Sequence, residues 1–187
     1  MTGSKIPRHI LITGGVRSGK SKFAEIFAKE LGGRVIYLAT AQALDAEMEE
    51  RINKHREHRP VDWTTIEEPL EVVPVIAGFQ NGTTILLDCL TLFLSNLLFK
   101  YDDLPVDRQE QAIDAQIADL TKAVNQSSAN IIIVSNEIGW GLVPENALAR
   151  RFRDLAGSAN QRMAAVSDEV YLMVSGLPVR IKGGKDV

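Results

Sequence analysis

The stretch HILITGGVRSGKS, which runs from His9 to Ser21, decides the fold of this chain. A short, mainly apolar run leads directly into Gly14 to Ser21, and this segment matches the pattern G-x-x-x-x-G-K-[ST] at every fixed position. Glycines let the backbone turn sharply and bring successive N–H groups to phosphate oxygens, and the start of the following helix adds a partial positive charge. The stretch therefore predicts a strand, a phosphate-binding loop and a helix, in that order.

Two side chains of this loop point to nucleoside triphosphate chemistry. Lys20 is expected to reach the terminal phosphates, and the Ser21 hydroxyl is expected to ligate Mg²⁺. Arg17 and Ser18 supply further donors, and Arg17 could contact the substrate rather than the nucleotide. A glycine-rich turn that binds nothing is the alternative, and it is disfavoured because strand, loop and helix all occur in the expected order.

The rest of the chain alternates apolar runs with segments of helical period, which is typical of a parallel α/β sheet covered by helices on both faces. The predicted strands are His9–Thr13, Arg34–Ala39, Trp63–Ile66, Thr83–Asp88, Asn130–Ser135, Val170–Val174 and Leu177–Ile181. The predicted helices are Lys20–Leu31, Asp45–His58, one opening near Pro69, Leu90–Lys100, Val106–Gln126 and Glu145–Val166. With 187 residues and no repeat or linker, we expect one P-loop nucleotide-binding domain over residues 1–187.

The composition of the chain indicates which class of partner it binds and in which cellular compartment it is expected. A net charge of −3 gives no global basic field, so nucleic-acid binding is not favoured. No apolar stretch approaches the roughly 18 residues of a membrane span, and the first residues do not read as a signal peptide. The single cysteine, Cys89, is expected in the core. We therefore expect a cytoplasmic protein that binds small molecules.

Polar side chains follow several of the predicted strands. The run Ile85-Leu86-Leu87-Asp88 ends in a carboxylate that would hold Mg²⁺, directly or through water. Since ligands gather at the carboxyl ends of parallel strands, Thr40, Asp88 and Glu137 are expected along one rim with the phosphate loop. Glu137 could be a general base or could simply fix its loop, and the residues do not decide between the two.

A basic cluster lies on the predicted Asp45–His58 helix and just beyond it, and its members are Arg51, Lys54, His55, Arg56, His58 and Arg59. It is either a solvated helix face or an anion site. A neutral imidazole at His55 beside guanidinium groups could attack a phosphate ester, because the arginines would hold the anion and lower the imidazole pKa. An ordinary surface histidine is the alternative.

These motifs together resemble the bifunctional adenosylcobinamide kinase/adenosylcobinamide-phosphate guanylyltransferase family of cobalamin nucleotide-loop assembly, from about Ile10 to Lys182. The phosphate loop alone is generic, whereas the specific signals are His55-Arg56-x-x-Arg59-Pro60 and Asn136-Glu137-x-Gly139-x-Gly141-x-x-Pro144. Further matching segments are Tyr37-Leu38-Ala39-Thr40-Ala41, Trp63-x-Thr65-x-Glu67, Leu87-Asp88-Cys89-Leu90-Thr91, Ser95-Asn96-Leu97-Leu98 and Asn160-Gln161-Arg162.

The resemblance implies a RecA-like P-loop fold, a homo-oligomer and two successive reactions. ATP or GTP phosphorylates the aminopropanol hydroxyl of adenosylcobinamide, and GTP then passes GMP through a histidine to the corrinoid phosphate. By motif position that histidine is His55. The nucleotide-binding residues that the resemblance implies are Gly14, Gly15, Val16, Arg17, Ser18, Gly19, Lys20, Ser21, Ala39, Thr40, Ala41, Arg56, Glu57, His58, Arg59, Glu67 and Asp88.

Two other functions are compatible with the phosphate loop. One is a small-molecule kinase without nucleotidyl transfer, and the other is a nucleotide-dependent regulator. Trp63 and Trp140 are expected to be packing residues rather than corrinoid platforms, and the apolar helix around Phe93 and Phe99 is expected to be core or a subunit contact.

Overall fold

A seven-stranded sheet forms the centre of the protein. The structure is a computed structural model that describes residues 6–57 and 59–184, with only the backbone described at positions 51 and 55. The strands are β1 (His9–Gly14), β2 (Arg34–Ala39), β3 (Thr64–Glu67), β4 (Thr83–Asp88), β5 (Asn130–Val134), β6 (Glu169–Val174) and β7 (Leu177–Lys182). Their order is β3-β2-β4-β5-β1-β6-β7, and every neighbouring pair is parallel except β6 and β7.

Helices cover both faces of this sheet. They are α1 (Lys20–Leu31), α2 (Ala46–Glu57), α3 (Val72–Ala77), α4 (Leu90–Lys100), α5 (Val106–Gln126) and α6 (Ala147–Val166). On one face, Ala24 and Phe27 of α1 pack against Ile10, Ile12 and Tyr37 of the sheet. On the other face, α3, α4, α5 and α6 contribute to a larger core. The mainly parallel sheet flanked by helices confirms the predicted α/β fold class.

Strand bounds follow from the length of the apolar runs. Strands β2 and β4 have the predicted bounds, Arg34–Ala39 and Thr83–Asp88, and each contains a continuous apolar run, Val35–Ala39 and Ile85–Leu87, as expected where helices cover both sides of a parallel strand. The helix predicted to open near Pro69 instead begins at Val72. The reason is local: Glu68 Oε1 accepts hydrogen bonds from the N–H groups of Leu70 (3.0 Å) and Glu71 (2.9 Å), which holds this segment as a turn.

The burial of individual side chains tests several predictions made from the sequence. Cys89 is buried, as predicted, and burial raises the pKa of its thiol to about 11. His9 is buried at the start of β1. Phe93 is core as predicted, whereas Phe99 is 66% exposed. The prediction that Trp140 packs inside the chain is wrong, because its side chain is 74% exposed on a loop that carries no regular structure.

Membrane insertion through a helix is not supported by the described part of the chain. Within residues 6–57 and 59–184, none of the helices combines the length and the apolar composition that crossing a bilayer requires.

Candidate functional site

The phosphate loop lies between β1 and α1 and depends on glycine at two positions. Gly14 has φ 148°, and a Cβ there would lie 2.6 Å from the carbonyl oxygen of Met173 on β6. Gly19 has φ 94° and directly precedes α1, in a conformation that side chains other than glycine rarely adopt. The loop is thus shaped by sterics that only glycine satisfies.

Two neighbouring segments hold the loop from outside. The N–H of Gly176, in the turn between β6 and β7, donates to the carbonyl of Ser18 at 3.0 Å. The N–H of Glu137, just after β5, donates to the carbonyl of Gly14 at 2.9 Å. The sequence motif contains no sign of the β6–β7 turn, because this support comes from residues more than 150 positions away in the chain.

Lys20 and Ser18 point their polar groups into the loop. The Lys20 side chain is buried in the first turn of α1, and its Nζ donates to the carbonyl of Gly15 at 2.6 Å. The Ser18 hydroxyl is buried and has no hydrogen-bond partner among the described residues. Buried hydroxyls are normally satisfied, so this arrangement suits a loop whose natural partner is an anionic ligand.

The two residues predicted to ligate a divalent cation are Ser21, at the start of α1, and Asp88, at the end of β4. Both residues are half-buried. Mg²⁺ prefers a site with few protein oxygen ligands, in which phosphates and water take the remaining positions, over a site built only from protein ligands. Among the described residues no group of three or more His, Cys, Asp or Glu side chains could hold a metal ion by itself.

Asp88 is positioned by a tyrosine on the neighbouring strand. The Tyr37 hydroxyl of β2 donates to Asp88 Oδ2 at 2.5 Å. Burial, and after it the Asp88 carboxylate, raise the pKa of Tyr37 far above its ordinary range, so the hydroxyl is protonated at neutral pH and acts as the donor. Tyr37 was not among the predicted site residues. The available signal was a tyrosine inside an apolar strand, since a buried phenol needs a partner for its hydroxyl.

The segment that follows α2 meets the same tyrosine. The Arg59 guanidinium carbon lies 3.7 Å from the centre of the Tyr37 ring, and Arg59 Nη1 donates weakly to Thr65 Oγ1 at 3.4 Å. Arg56, in the last turn of α2, forms an ion pair with Glu67 at the end of β3. Of the predicted nucleotide-binding residues, Arg56 and Glu67 are therefore paired with each other, and Arg59 contacts the tyrosine that hydrogen-bonds Asp88.

Two of the predicted site residues are histidines. His55 lies in the last turns of α2, and its side chain is not described; His58 lies outside the described residues. Glu57 is the last residue of α2 and is exposed. The roles predicted for His55, Glu57 and His58 stay predictions.

The remaining predicted residues divide by exposure. Gly15, Val16 and Arg17 are exposed at the outer side of the phosphate loop. Thr40 is fully buried, and its hydroxyl exchanges hydrogen bonds with the backbone of Cys89, donating to the carbonyl at 2.8 Å and accepting from the N–H at 2.9 Å. Ala39 is buried and Ala41 is half-buried at the end of β2. Within residues 39–41, the side chain of Ala41 is thus the most accessible to a ligand.

Glu137 has a structural partner. Its Oε1 accepts the N–H of Gly139 at 3.0 Å, which is the loop-fixing role that the sequence left open beside the general base. Next to it, Asn136 donates to the Thr91 hydroxyl, and Asn160 of α6 donates to the Asn136 carbonyl at 3.2 Å. This rim of the sheet is therefore held by side-chain amides and hydroxyls.

The family of the chain follows from comparison with known proteins. Residues 10–181 match the model of the CobU family, described as cobinamide kinase / cobinamide phosphate guanyltransferase. The chain belongs to this family. It is 44% identical over 180 residues to the bifunctional adenosylcobalamin biosynthesis protein CobU of Escherichia coli, covering 92% of this chain and 99% of that protein. It is also 44% identical to the CobP protein of the same description from Pseudomonas aeruginosa, covering 92% of this chain and 96% of that one.

Solved structures place this CobU-family chain among P-loop proteins by fold. A protein from Pyrococcus horikoshii OT3 superposes with a TM-score of 0.54 at 9% identity, covering 97% of this chain and 89% of that one. An ATPase of a bacterial type III secretion system superposes with a TM-score of 0.55 at 11% identity, covering 89% of this chain and 51% of that one. Together with the phosphate loop, this likeness confirms the predicted P-loop NTPase fold.

Proposed function

We propose that this CobU-family enzyme phosphorylates adenosylcobinamide with ATP or GTP, and then transfers GMP from GTP through a guanylyl-histidine to form adenosylcobinamide-GDP. The observation that carries the proposal is a contact between the two halves of the site. Arg59, beyond α2, packs on Tyr37, and Tyr37 hydrogen-bonds Asp88 beside the phosphate loop. These contacts support the proposal, because they connect the end of β4 with the segment that follows α2.

In the kinase step, the loop N–H groups and Lys20 bind the β- and γ-phosphates. The substrate hydroxyl oxygen attacks the γ-phosphorus, the bond from that phosphorus to the β–γ bridging oxygen breaks, and the nucleoside diphosphate leaves while the hydroxyl proton passes to solvent. Lys20 stabilises the charge that develops on the transferred group, which is the main contribution a protein makes to phosphoryl transfer. Ser21 and Asp88 would hold Mg²⁺, which supplies further charge neutralisation when bound.

In the transferase step, a ring nitrogen of His55 attacks the α-phosphorus of GTP. The bond to the α–β bridging oxygen breaks and pyrophosphate leaves. An oxygen of the corrinoid phosphate then attacks the same phosphorus, the P–N bond breaks, and the histidine is restored. Arg56 and Arg59 would neutralise the phosphates in both displacements, for which Arg56 must exchange its ion pair with Glu67 for the nucleotide.

The other assignments extend this proposal. The nucleotide contacts are Gly14 to Ser21, Ala39 to Ala41, Arg56 to Arg59, Glu67 and Asp88. We further propose that the chain is one domain over residues 1–187, acts in the cytoplasm as a homo-oligomer, and takes nucleotides and a corrinoid rather than nucleic acid as its partners.

Labelled GTP tests the proposal. Incubation with α-³²P GTP and Mg²⁺ should leave acid-labile, base-stable label on the protein, as expected of a phosphoramidate, whereas γ-³²P GTP should leave none. His55→Ala should abolish the label, while His58→Ala should retain it in reduced amount. Phosphorylation of adenosylcobinamide without any protein label would leave a kinase alone, and binding of GTP with neither reaction would indicate a regulator.

A further inference from the structure

Tyr37 occupies a position between the two halves of the proposed site. It lies on β2, and its side chain is 1% exposed. Residues Ala39 and Asp88 are register partners on the neighbouring parallel strands β2 and β4, so Tyr37 lies one side-chain pair behind the carboxylate on the face covered by α1. Its hydroxyl reaches forward to Asp88 Oδ2 at 2.5 Å.

Two side chains, those of Arg59 and Trp63, lie next to the ring of Tyr37. The Arg59 guanidinium stacks on it at 3.7 Å, and the Trp63 ring lies 6.5 Å from it, tilted by 31°. Both residues belong to the segment between α2 and β3. Arg59 Nε is buried and has no hydrogen-bond partner among the described residues, so the stacking on Tyr37 is a principal contact of this guanidinium.

We propose that Tyr37 is a positioning residue that couples the position of the Arg59 side chain to the position of the Asp88 carboxylate. Through this coupling, the segment after α2 affects how tightly Asp88, together with the nucleotide, binds a divalent cation. This rests on the proposed function only for the role of Asp88 as an Mg²⁺ ligand. The physical basis is that a hydrogen bond to one carboxylate oxygen fixes which oxygen, and which lone pair, faces the metal.

The coupling of Arg59 to Asp88 through Tyr37, called the relay below, should not change the conformation of the phosphate loop. Tyr37 makes its polar contact with Asp88, while the loop is held by Glu137 and Gly176. Loss of the Tyr37 hydroxyl should therefore weaken metal binding and leave metal-free nucleotide binding unchanged. A merely structural role would shift both, or shift only stability.

The chain offers a matched control. Tyr171 on β6 also lies on the α1 face, and its hydroxyl also donates to a carboxylate, Glu169 Oε2, at 2.6 Å. Tyr37→Phe and Tyr171→Phe each delete one phenol oxygen and one tyrosine–carboxylate hydrogen bond. They differ in that only the first faces the proposed metal site.

The test measures Mn²⁺ binding by electron paramagnetic resonance in the presence of a non-hydrolysable GTP analogue, and analogue binding in EDTA by calorimetry. For Tyr37→Phe we expect Mn²⁺ to bind about 10-fold more weakly, with analogue affinity in EDTA within about 2-fold of wild type. Tyr171→Phe should change neither. Equal Mn²⁺ affinity for Tyr37→Phe and wild type, or an equal loss in Tyr171→Phe, would overturn the proposal.

Arg59→Lys completes the test, because lysine keeps the charge but cannot stack as a flat guanidinium. Because Arg59 is also proposed to contact the nucleotide, the Mn²⁺ titrations are run with the GTP analogue at saturating concentration for every variant. If Arg59 acts on Asp88 through Tyr37, Arg59→Lys should then weaken Mn²⁺ binding in the wild-type background and have no further effect in Tyr37→Phe. Additive losses would overturn the coupling. The single Arg59→Lys variant, altered at a half-buried position, still measures the effect if Tyr37→Phe does not fold.

The Mn²⁺-binding experiment on Tyr37→Phe and the GTP-labelling experiment on wild-type protein can fail independently of each other. If no α-label forms on wild-type protein while Tyr37→Phe weakens Mn²⁺ binding, the transferase reading fails and the relay holds. If the label forms on wild type while Tyr37→Phe leaves Mn²⁺ binding unchanged, the relay fails and the transferase reading holds.

Discussion

Helices α1 and α2 have the same length, 12 residues each, and opposite kinds of support. In α1 the residues Lys20, Ala24, Phe27 and Ala28 are buried against the sheet. In α2 none of the described side chains is buried, and Met48 and Ile52 reach only half-burial. The helix after the phosphate loop is part of the core, whereas the helix that carries His55 lies on the surface of the protein.

The N-terminal ends of α1 and α2 also differ in whether local interactions stabilise them. Among the described residues no side chain caps α1, and no acidic residue lies in its first turn, which suits an end that receives phosphate. Helix α2 has its own N-terminal support: Asp45 Oδ1 accepts the N–H of Met48 at 2.7 Å, and Glu47 and Glu49 lie in its first turn. Glu50 and Lys54 add an i,i+4 ion pair at 2.6 Å. Helix α2 is therefore stabilised mainly by local interactions, and α1 by tertiary packing.

The difference fits a division of labour between a phosphate loop joined to a packed helix and a less tightly packed helix that carries His55, the proposed nucleophile. Phosphoryl transfer needs fixed donors, because preorganisation supplies most of the catalysis. A histidine that must meet the α-phosphorus of GTP and then a corrinoid phosphate is better placed on an element with few tertiary contacts. The predictions below test this contrast, beginning with the largest effect.

Removing the loop lysine should have the largest effect. Lys20→Ala is expected to lower kcat for adenosylcobinamide phosphorylation by about 10³-fold, because it deletes a preorganised positive charge from the transition state. Steady-state kinetics measure this. Lys22→Ala, at an exposed position of the same helix, is the control and should retain the wild-type rate. Undiminished phosphorylation by Lys20→Ala would contradict the P-loop assignment.

Truncating one apolar residue in each helix compares their packing directly. Phe27 is 8% exposed and makes edge-to-face contacts with Phe23 and Tyr171, with ring centres 5.7 Å and 5.6 Å away. Phe27→Ala should lower the free energy of unfolding by about 3 kcal/mol. Ile52→Ala in α2 should lower it by about 1 kcal/mol or less. Urea denaturation measures both, and equal losses would show that α2 is as firmly packed as α1.

The shape of the phosphate loop gives a smaller effect on stability. Gly14→Ala places a methyl group 2.6 Å from the Met173 carbonyl oxygen at φ 148°, and should cost about 2 kcal/mol of unfolding free energy. Gly15→Ala is the matched variant, because a Cβ at Gly15 meets nothing within 4 Å among the described residues, and the cost should stay below about 0.5 kcal/mol. Equal stability of the two variants would refute the steric account of the loop.

The surface pair at the end of α2 should matter least for stability. Arg56 and Glu67 are each about half exposed, with side-chain exposures of 54% and 52%, so Arg56→Gln should change the free energy of unfolding by less than about 0.5 kcal/mol. It should nevertheless reduce α-label formation, because Arg56 is proposed to bind the nucleotide phosphates. Lys100→Gln removes another surface ion pair, with Glu71, and should change neither quantity. A large stability loss with unchanged labelling would assign Arg56 a structural role.

Those features of the fold that depend on local pattern were predictable from the sequence. Continuous apolar runs located β2 and β4, and the phosphate loop followed from its glycines, lysine and serine. The start of α3 was not predictable from Pro69, since the Glu68 carboxylate competes for the N–H groups of the following turn. Trp140 was assigned to packing by residue type alone, whereas its exposure depends on the path of a loop that has no periodic pattern.

The candidate site was predictable only in part, because its second half depends on strand order. Asp88 and the phosphate loop were expected on one rim from the parallel-sheet rule. That Tyr37 would meet both Asp88 and Arg59 requires β2 to lie beside β4 in a specific register, which pairwise spacing along the chain does not encode. The support of the loop by Gly176 is non-local in the same way.

A chase experiment decides whether the phosphate loop and His55 act together as one two-step catalyst. Protein labelled with α-³²P GTP is freed of nucleotide and mixed with adenosylcobinamide phosphate. The account predicts that the label leaves the protein and appears in adenosylcobinamide-GDP at least as fast as steady-state turnover. Label that stays on the protein while product forms from added unlabelled GTP would contradict it.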